Sequence, residues 1–206
     1  MYYKERWTTF KHLKLNFVIR TLIASDFVIW SSINLVSPIF AIFITDHIAG
    51  GSIEVVGIST MIYLIAKSLC EIPIGIMIDR TKSEMDDLYV AIGGTMIVGI
   101  VYFMYSYVSG VWGLYALQAL LGIGTAGAFP GWYAIFTRHI DESKHGVAWS
   151  THDVLLGIGG AVAAGMGAIC VERFGLGLVF NCVGVLVIAG AFMLLLVRDE
   201  IFVKKI

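Results

Sequence analysis

Two opposite charges lie one helical turn apart inside a strongly apolar stretch of the sequence. Lys67 and Glu71 belong to the segment AKSLCEIPIGIMIDR, residues 66–80, and Asp26 lies in an earlier apolar stretch. A charged side chain at the centre of a bilayer costs at least ~2.5 kcal/mol, so such residues generally face a partner or a cavity. The chemistry open to two carboxylates and one ammonium group is ion pairing, with or without the binding of a proton.

The composition is that of a protein that lies in a membrane. Hydrophobic residues make up 58% of the 206 residues and charged residues only 14%, against roughly 25% charged residues in a soluble domain. The formal net charge of -1 at pH 7 argues against nucleic acid as a partner. The three cysteines lack metal-ligand spacing, so neither a metal nor another cofactor is expected. No cleavable signal peptide is predicted.

The apolar pattern predicts six transmembrane helices, each of which needs ~20 apolar residues. Residues 1–206 are therefore expected to form one all-α membrane domain. Prolines in PIFAIF (38–43) and PGWYAIF (130–136) lie late in the first and fourth helices, which fits a three-plus-three inverted repeat. Chance similarity between apolar sequences is the alternative. The predicted helices lie near 17–45, 53–78, 88–108, 111–137, 146–171 and 174–197.

The basic residues predict the orientation of these helices. Of the 14 Lys and Arg residues, only Arg173 falls on one side of the predicted membrane, and Lys67 lies within it. All the others fall on the opposite side, which by the positive-inside rule is the cytoplasmic side. We therefore expect a multi-pass protein of the plasma or inner membrane, with both termini in the cytoplasm.

Four short motifs, in the right order and on the right sides, resemble those of the major facilitator superfamily. Gly75, Asp79 and Arg80, at the end of the second predicted helix, resemble the family's loop motif between helices 2 and 3. The other three stretches resemble the family's helix 4 motif and its entries to helices 5 and 6. They are ALQALLGIGTAG (116–127), KHGVAWS (144–150) and ERFGLGLVF (172–180).

This resemblance implies one half of a major-facilitator fold, because the family's transporters move two six-helix halves around a central site. It also implies a homodimer, with half of a heterodimer or a fragment of a longer chain as the alternatives. Gly75 would allow close helix contact. Asp79 and Arg80 would form a gate, in which Asp79 meets the start of helix 5, residues 146–150, in the second copy.

The resemblance also brings the first two helices together and so implies an Asp26–Lys67–Glu71 cluster. All three groups lie ~12–18 Å from a helix end by a rise of 1.5 Å per residue, which is near the bilayer midplane. As a proton-coupling site, this cluster would carry its proton on Glu71 first and on Asp26 second. A purely structural ion pair remains the alternative. His152 and Asp153 are either a second titrating site or side chains that extend to the headgroups.

Polar and aromatic residues of the predicted helices are candidates for binding a substrate. Aromatic rings beside amides suit stacking on a sugar ring or on an aromatic drug. Helix packing and the aromatic belt at the membrane surface are the alternative explanation. Gln118 stands where family members carry an arginine, so it cannot titrate. The candidates are Trp30, Asn34, Tyr63, Gln118 and Trp132, with Tyr133 beside them.

Together these features predict a secondary transporter that works by alternating access as a homodimer. Proton-coupled uptake of a small polar solute such as a sugar is the first interpretation. Uptake is favoured over efflux because Ala161 and Val162 replace the Gly-Pro pair of the family's antiporters. A proton-coupled exporter of drugs or organic cations and a non-transporting scaffold or receptor-like half are the alternatives. An enzyme is not expected, because no protease or hydrolase motif occurs.

Overall fold

The chain folds as a bundle of six long helices. The computed structural model describes residues 14–80 and 83–203. Within them, six helices are long and apolar enough to cross a membrane, and we call them spans 1 to 6. They are Phe17–His47, Ile53–Arg80, Glu84–Tyr105, Val111–His139, His145–Phe174 and Leu176–Phe202. The all-α fold with six membrane-spanning helices is thus confirmed. We call the end of the bundle that holds Phe17 and Phe202 the terminal end.

Two spans are interrupted where the sequence predicted continuous helices. In span 1, a 3₁₀ turn at Ser37–Ile39 separates the α-helices Phe17–Val36 and Phe40–His47. Pro38 lies in this turn, and a proline inside a helix removes one hydrogen bond and clashes with the preceding turn. In span 6, the α-helix Leu176–Met193 is followed by a 3₁₀ turn at Leu194–Val197 and a last short helix, Arg198–Val203.

Span 3 begins at Glu84 and not at residue 88. Its first turn contains Glu84, Asp86 and Asp87, and carboxylates there are stabilised by the unpaired amides of a helix N-terminus. The sequence prediction began the helix after these residues because they are charged. The difference matters, since Asp87 is completely buried.

The contacts between spans are consistent with the three-plus-three inverted repeat. Span 1 packs against spans 5 and 6, span 4 packs against spans 2 and 3, and spans 3 and 6 pack against each other. Exchanging span 1 with 4, 2 with 5 and 3 with 6 leaves this set of contacts unchanged.

Glycines of span 4 allow its backbone to touch the two neighbouring spans. A Cβ atom on Gly131 would overlap the carbonyl oxygen of Asp87 in span 3, and one on Gly94 would overlap the backbone at Ala128. A Cβ atom on Gly122 would lie 2.5 Å from the carbonyl oxygen of Tyr63 in span 2. Small residues at such contacts are typical of helices that associate in lipid, where burial of apolar area gives no driving force.

Span 5 approaches span 1 in the same way. A Cβ atom on Gly167 would overlap the backbone of Leu35, and one on Gly160 would lie 3.2 Å from the side-chain amide of Asn34. Gly157 and Gly165 face open space instead, so only one face of this glycine-rich helix is used for packing within the chain.

An ion pair between a buried carboxylate and an exposed arginine joins spans 3 and 4 near the terminal end. Nη1 of Arg138 donates a hydrogen bond to Oδ2 of Asp87. Beside it, Nε2 of His139 lies 3.6 Å from Oε2 of Glu84. The amide of Asn16 donates to the carbonyl oxygen of His139 at 2.6 Å, so the residue before span 1 is tied to the same place.

We expect Gly94→Ala to destabilise the bundle and Gly93→Ala not to do so. The first substitution places a methyl group into the backbone of span 4, which costs about 1–3 kcal/mol when a packed core is overfilled. The second faces open space and gains helix propensity. Thermal unfolding of both variants in the same detergent measures the difference. Equal melting temperatures would show that the contact between spans 3 and 4 tolerates a methyl group.

We expect Arg138→Gln to lower the free energy of unfolding by about 2–3 kcal/mol, because it leaves the buried Asp87 carboxylate without its partner. Adding Asp87→Asn should recover part of this loss, since the unpaired charge is then removed. Unfolding of both single variants and the double variant in mixed detergent micelles gives the coupling energy. Strictly additive effects would contradict the pair.

Candidate functional site

The most buried pair of ionisable side chains away from the terminal end lies between spans 1 and 5. Nε2 of His152 is 2.9 Å from Oδ2 of Asp26, and both side chains are buried. Nδ1 of His152 is 3.3 Å from Oδ1 of Asp153, whose side chain is 76% exposed. A protonated imidazole donates from both nitrogens and would serve both carboxylates at once, whereas a neutral ring donates to only one of them.

Helical spacing explains why these two side chains meet. Asp26 shares the buried face of span 1 with Leu22 and Ile29, and residues three or four apart lie on one face of a helix. His152 shares the buried face of span 5 with Ala148 and Gly159. Because spans 1 and 5 pack against each other, the two faces bring the carboxylate to the imidazole.

Aromatic rings surround this histidine on the side of the terminal end. The centroid of the His152 ring lies 5.1 Å from the Trp132 ring, 5.8 Å from Phe136 and 5.9 Å from Trp149. Trp132 and Phe136 stack on each other at 4.7 Å. These rings pack the bundle between the ion pair and the terminal end.

Lys67 and Glu71 form a separate pair on span 2. Nζ of Lys67 lies 3.7 Å from Oε2 of Glu71 and 4.9 Å from the centroid of the Phe129 ring. The expected Asp26–Lys67–Glu71 cluster is therefore corrected to two pairs, Lys67–Glu71 and Asp26–His152. The reason is the packing, since the part of span 1 that carries Asp26 packs on spans 5 and 6 while span 2 packs on span 4.

A small cavity of about 50 Å³ adjoins the Asp26 carboxylate. Such a volume holds a few water molecules. Thr95 and Thr125 also line it, and each donates its hydroxyl proton to a backbone carbonyl, leaving its oxygen free to accept. The acidic group is therefore next to a space that can hydrate it.

A second cavity, of about 370 Å³, lies on the side away from the terminal end. We call it the aromatic cavity because five of its lining residues carry large rings. The rings belong to Trp30, Phe40, Tyr63, Tyr102 and Tyr105, and the polar lining residues are Ser37, Thr60, Gln118 and Thr125. Four residues line both cavities, so the two are neighbours: Trp30, Ile33, Val98 and Thr125.

The aromatic cavity contains three of the five predicted substrate-binding residues, Trp30, Tyr63 and Gln118. Trp132 lines only the small cavity. Asn34 lines neither, because its amide donates to the carbonyl oxygen of Trp30 at 2.8 Å and packs against span 5. Tyr133 stacks on Phe129 at 5.6 Å.

Sequence reasoning missed Tyr102 and Tyr105, which lie near the end of span 3. Aromatic residues at that depth are typical of the belt at the membrane surface. For this reason the sequence did not predict that these two tyrosines line the cavity. It also missed Asp87 and Arg138, which were interpreted as charges flanking the membrane. A signal was present, because one acidic and one basic residue lie at the adjoining ends of consecutive helices.

The predicted gate residues lie exposed at the terminal end of span 2. Among residues 14–80 and 83–203, no partner forms a hydrogen bond or an ion pair with the side chain of Asp79 or Arg80. A Cβ atom on Gly75 would meet open space. The close helix contact expected at Gly75 is therefore not made within this chain.

Comparison with known proteins agrees with this architecture. The family model described as Major Facilitator Superfamily matches residues 22–205. The in meso crystal structure of the POT family transporter PepTSo is similar with a TM-score of 0.75 and 19% sequence identity. The match covers 90% of this chain and 38% of that chain. At this identity the likeness concerns the fold alone, and comparison with curated protein sequences gives no match.

The family model covers most of the chain, and the structural comparison supports the same fold. The chain belongs to the major facilitator superfamily.

Proposed function

We propose that the chain is one six-helix unit of a proton-coupled secondary transporter that takes up a small polar organic solute. The observation that carries this proposal is the position of the Asp26–His152 pair. The carboxylate lines the small cavity, and that cavity shares part of its wall with the aromatic cavity. A protonation site and a space for a solute are therefore neighbours in the same bundle.

Proton binding at this pair changes the charge at the wall of the small cavity. With one proton shared between them, Asp26 and His152 are neutral as a pair. Without it, a buried carboxylate faces an uncharged ring, and an unpaired buried charge is costly. The pair is therefore easier to close off from water when it holds the proton. A solute that changes the hydration of the adjoining cavity would shift the protonation equilibrium of the Asp26–His152 pair. Coupling requires such a link between solute binding and proton binding.

Asp26 is better placed than Glu71 to carry the proton. The Glu71 side chain is 37% exposed and pairs with Lys67 on the same helix. Neither of these two residues lines either cavity. We propose that the Lys67–Glu71 pair instead faces a second six-helix unit, and that Asp153 modulates His152 from the exposed side.

We propose that a second copy of the chain supplies the other six helices. Spans 2 and 5 are the least buried of the six, and they occupy equivalent places in the repeat. Two copies packed through these spans would enclose the aromatic cavity of each. The match to only 38% of the PepTSo chain fits a chain that needs a further unit.

The gate proposed for Asp79 and Arg80 fits the same assembly. Both side chains are exposed at the terminal end of span 2, and Gly146 at the start of span 5 is exposed at the same end. A carboxylate that meets a helix N-terminus gains about 0.3–1 kcal/mol. We propose that Asp79 makes this contact with span 5 of the second copy and closes the terminal end, which the distribution of basic residues assigns to the cytoplasm.

We expect Asp26→Asn to abolish solute accumulation driven by a pH gradient and to retain much of the exchange that needs no gradient. The amide keeps the shape and a hydrogen bond to His152 but cannot take up a proton. Both activities are measured in reconstituted proteoliposomes with a panel of radiolabelled solutes that includes sugars. Vesicles without internal solute measure accumulation under a pH gradient, and vesicles filled with unlabelled solute measure exchange.

Asp153→Asn is the matched control, because it removes a carboxylate that contacts the same histidine from the exposed side. We expect it to keep most of the accumulation, and Glu71→Gln to do the same. If Asp26→Asn accumulates solute like the wild type, Asp26 is not the coupling residue. If the wild type moves no solute in either assay, the chain is a scaffold or receptor-like half, or its partner is another chain.

Native mass spectrometry of the chain in nanodiscs should give twice the mass of 22.5 kDa. The second copy is expected because spans 2 and 5 are the least buried of the six spans within one chain. Asp79→Asn should weaken the dimer without unfolding the monomer, since the Asp79 side chain has no hydrogen bond or ion pair to another described residue. A monomer that accumulates solute would contradict the proposed assembly.

A further inference from the structure

Two buried polar side chains in the wall of the aromatic cavity have no partner. Gln118 is 4% exposed and Tyr105 is 1% exposed, and both line the cavity. The Tyr105 hydroxyl has no hydrogen bond, and the Gln118 amide makes none among the described residues. Buried polar groups are nearly always paired, because an unpaired one costs free energy. The Gln118 amide is therefore open to a partner from within the cavity, and the Tyr105 hydroxyl lies in the wall with no partner of its own.

Among the described residues, the wall of this cavity has no side chain that carries a charge at neutral pH. Among the described residues that line it, none is Asp, Glu, Lys, Arg or His. Asp26 belongs to the small cavity, and Lys67 and Glu71 line neither. A charged solute would lose hydration here without meeting an opposite charge, which is strongly unfavourable.

The rest of the wall suits a ring that carries hydroxyl groups. Trp30, Phe40 and Tyr63 present aromatic surface, and aromatic faces stack on flat or apolar ring faces. The hydroxyl of Thr60 donates to the carbonyl oxygen of Val56 at 3.0 Å, so its oxygen is left to accept from a solute. A volume of about 370 Å³ lies within the range of ~300–1,000 Å³ usual for small-molecule sites.

We propose that the aromatic cavity selects neutral solutes that combine a ring with hydroxyl groups, and that Gln118 and Tyr105 supply the hydrogen bonds that hold them. This inference names the substrate class of the site and rests on the proposed transport function. The specificity of the cavity would come from the absence of charged side chains in its wall. The affinity would come from the Gln118 amide and the Tyr105 hydroxyl, which have no partner among the residues that the structure describes.

Two glycosides that differ only in charge test the selection. Phenyl β-D-glucoside and phenyl β-D-glucuronide share the aromatic ring and the glycosidic bond, and the second carries a carboxylate where the first has a hydroxymethyl group. Isothermal titration calorimetry at pH 7 measures the binding of both glycosides to the full chain in nanodiscs, where no pH gradient exists. We expect the neutral glucoside to bind at least about tenfold more tightly, a difference of ~1.4 kcal/mol.

Two substitutions test the residues. Tyr105→Phe removes only the unpaired hydroxyl and Gln118→Leu removes only the amide, so each should weaken glucoside binding about three- to tenfold. Tyr107→Phe is the matched control, because Tyr107 is exposed and lies outside the cavity. The melting temperature of each variant shows whether a loss of affinity comes from a lost contact with the solute or from a destabilised protein. It should stay the same or rise in Tyr105→Phe, since no hydrogen bond is lost.

Three results would overturn the inference: glucuronide binding as tight as that of the glucoside, no glucoside binding at millimolar concentration, or wild-type affinity in both variants. Failure of the proposed function looks different. Glucoside that binds with the expected selectivity but never accumulates under a pH gradient would contradict proton-coupled uptake and leave the selectivity of the cavity standing. If the glucuronide accumulates under a pH gradient in preference to the glucoside, proton-coupled uptake is supported and the proposed selectivity of the cavity is contradicted.

Discussion

Close backbone contact between helices is the constraint on which the rest of this structure depends. Lipid is as apolar as the side chains of the spans, so packing, and not burial from water, holds them together. Span 4 uses Gly122 against span 2 and Gly131 against span 3. These contacts determine which side chains can meet. Gly122 touches the backbone beside Tyr63, so the same contact brings Tyr63 and Gln118 into one cavity wall.

The polar partnerships follow from this packing. Asp26 meets His152 because spans 1 and 5 touch, and Asp87 meets Arg138 because spans 3 and 4 touch. The ammonium group of Lys67 lies near Glu71 of its own helix and over the ring of Phe129. The fully buried Asp87 ties helices together near the terminal end, whereas Asp26 adjoins a cavity that is large enough for water.

The sequence predicted the number of spans, their order and the family, because hydrophobic length and short end motifs are local signals. It could not predict which charges pair. Asp26, Lys67 and Glu71 lie at similar depth, but a helix that is apolar on every face has no periodic pattern to show which face is buried. Similar depth, together with the resemblance that makes the first two helices neighbours, therefore favoured a cluster of all three. Asp87 was missed for a related reason, since charge was taken as the end of a helix when a partner on the next helix allowed burial.

The break in span 1 divides it into two rods with a joint at Ser37–Ile39. The inner rod carries Asp26 and Trp30, while the outer rod carries Phe40 and Ala41 in the wall of the aromatic cavity. A proline joint lacks one backbone hydrogen bond, so bending there costs less than bending a continuous helix. Bending there would move the outer rod over the cavity without changing the register of the inner rod against span 5. In mechanical terms, the wall residues Phe40 and Ala41 and the carboxylate of Asp26 lie on separately hinged parts of one helix.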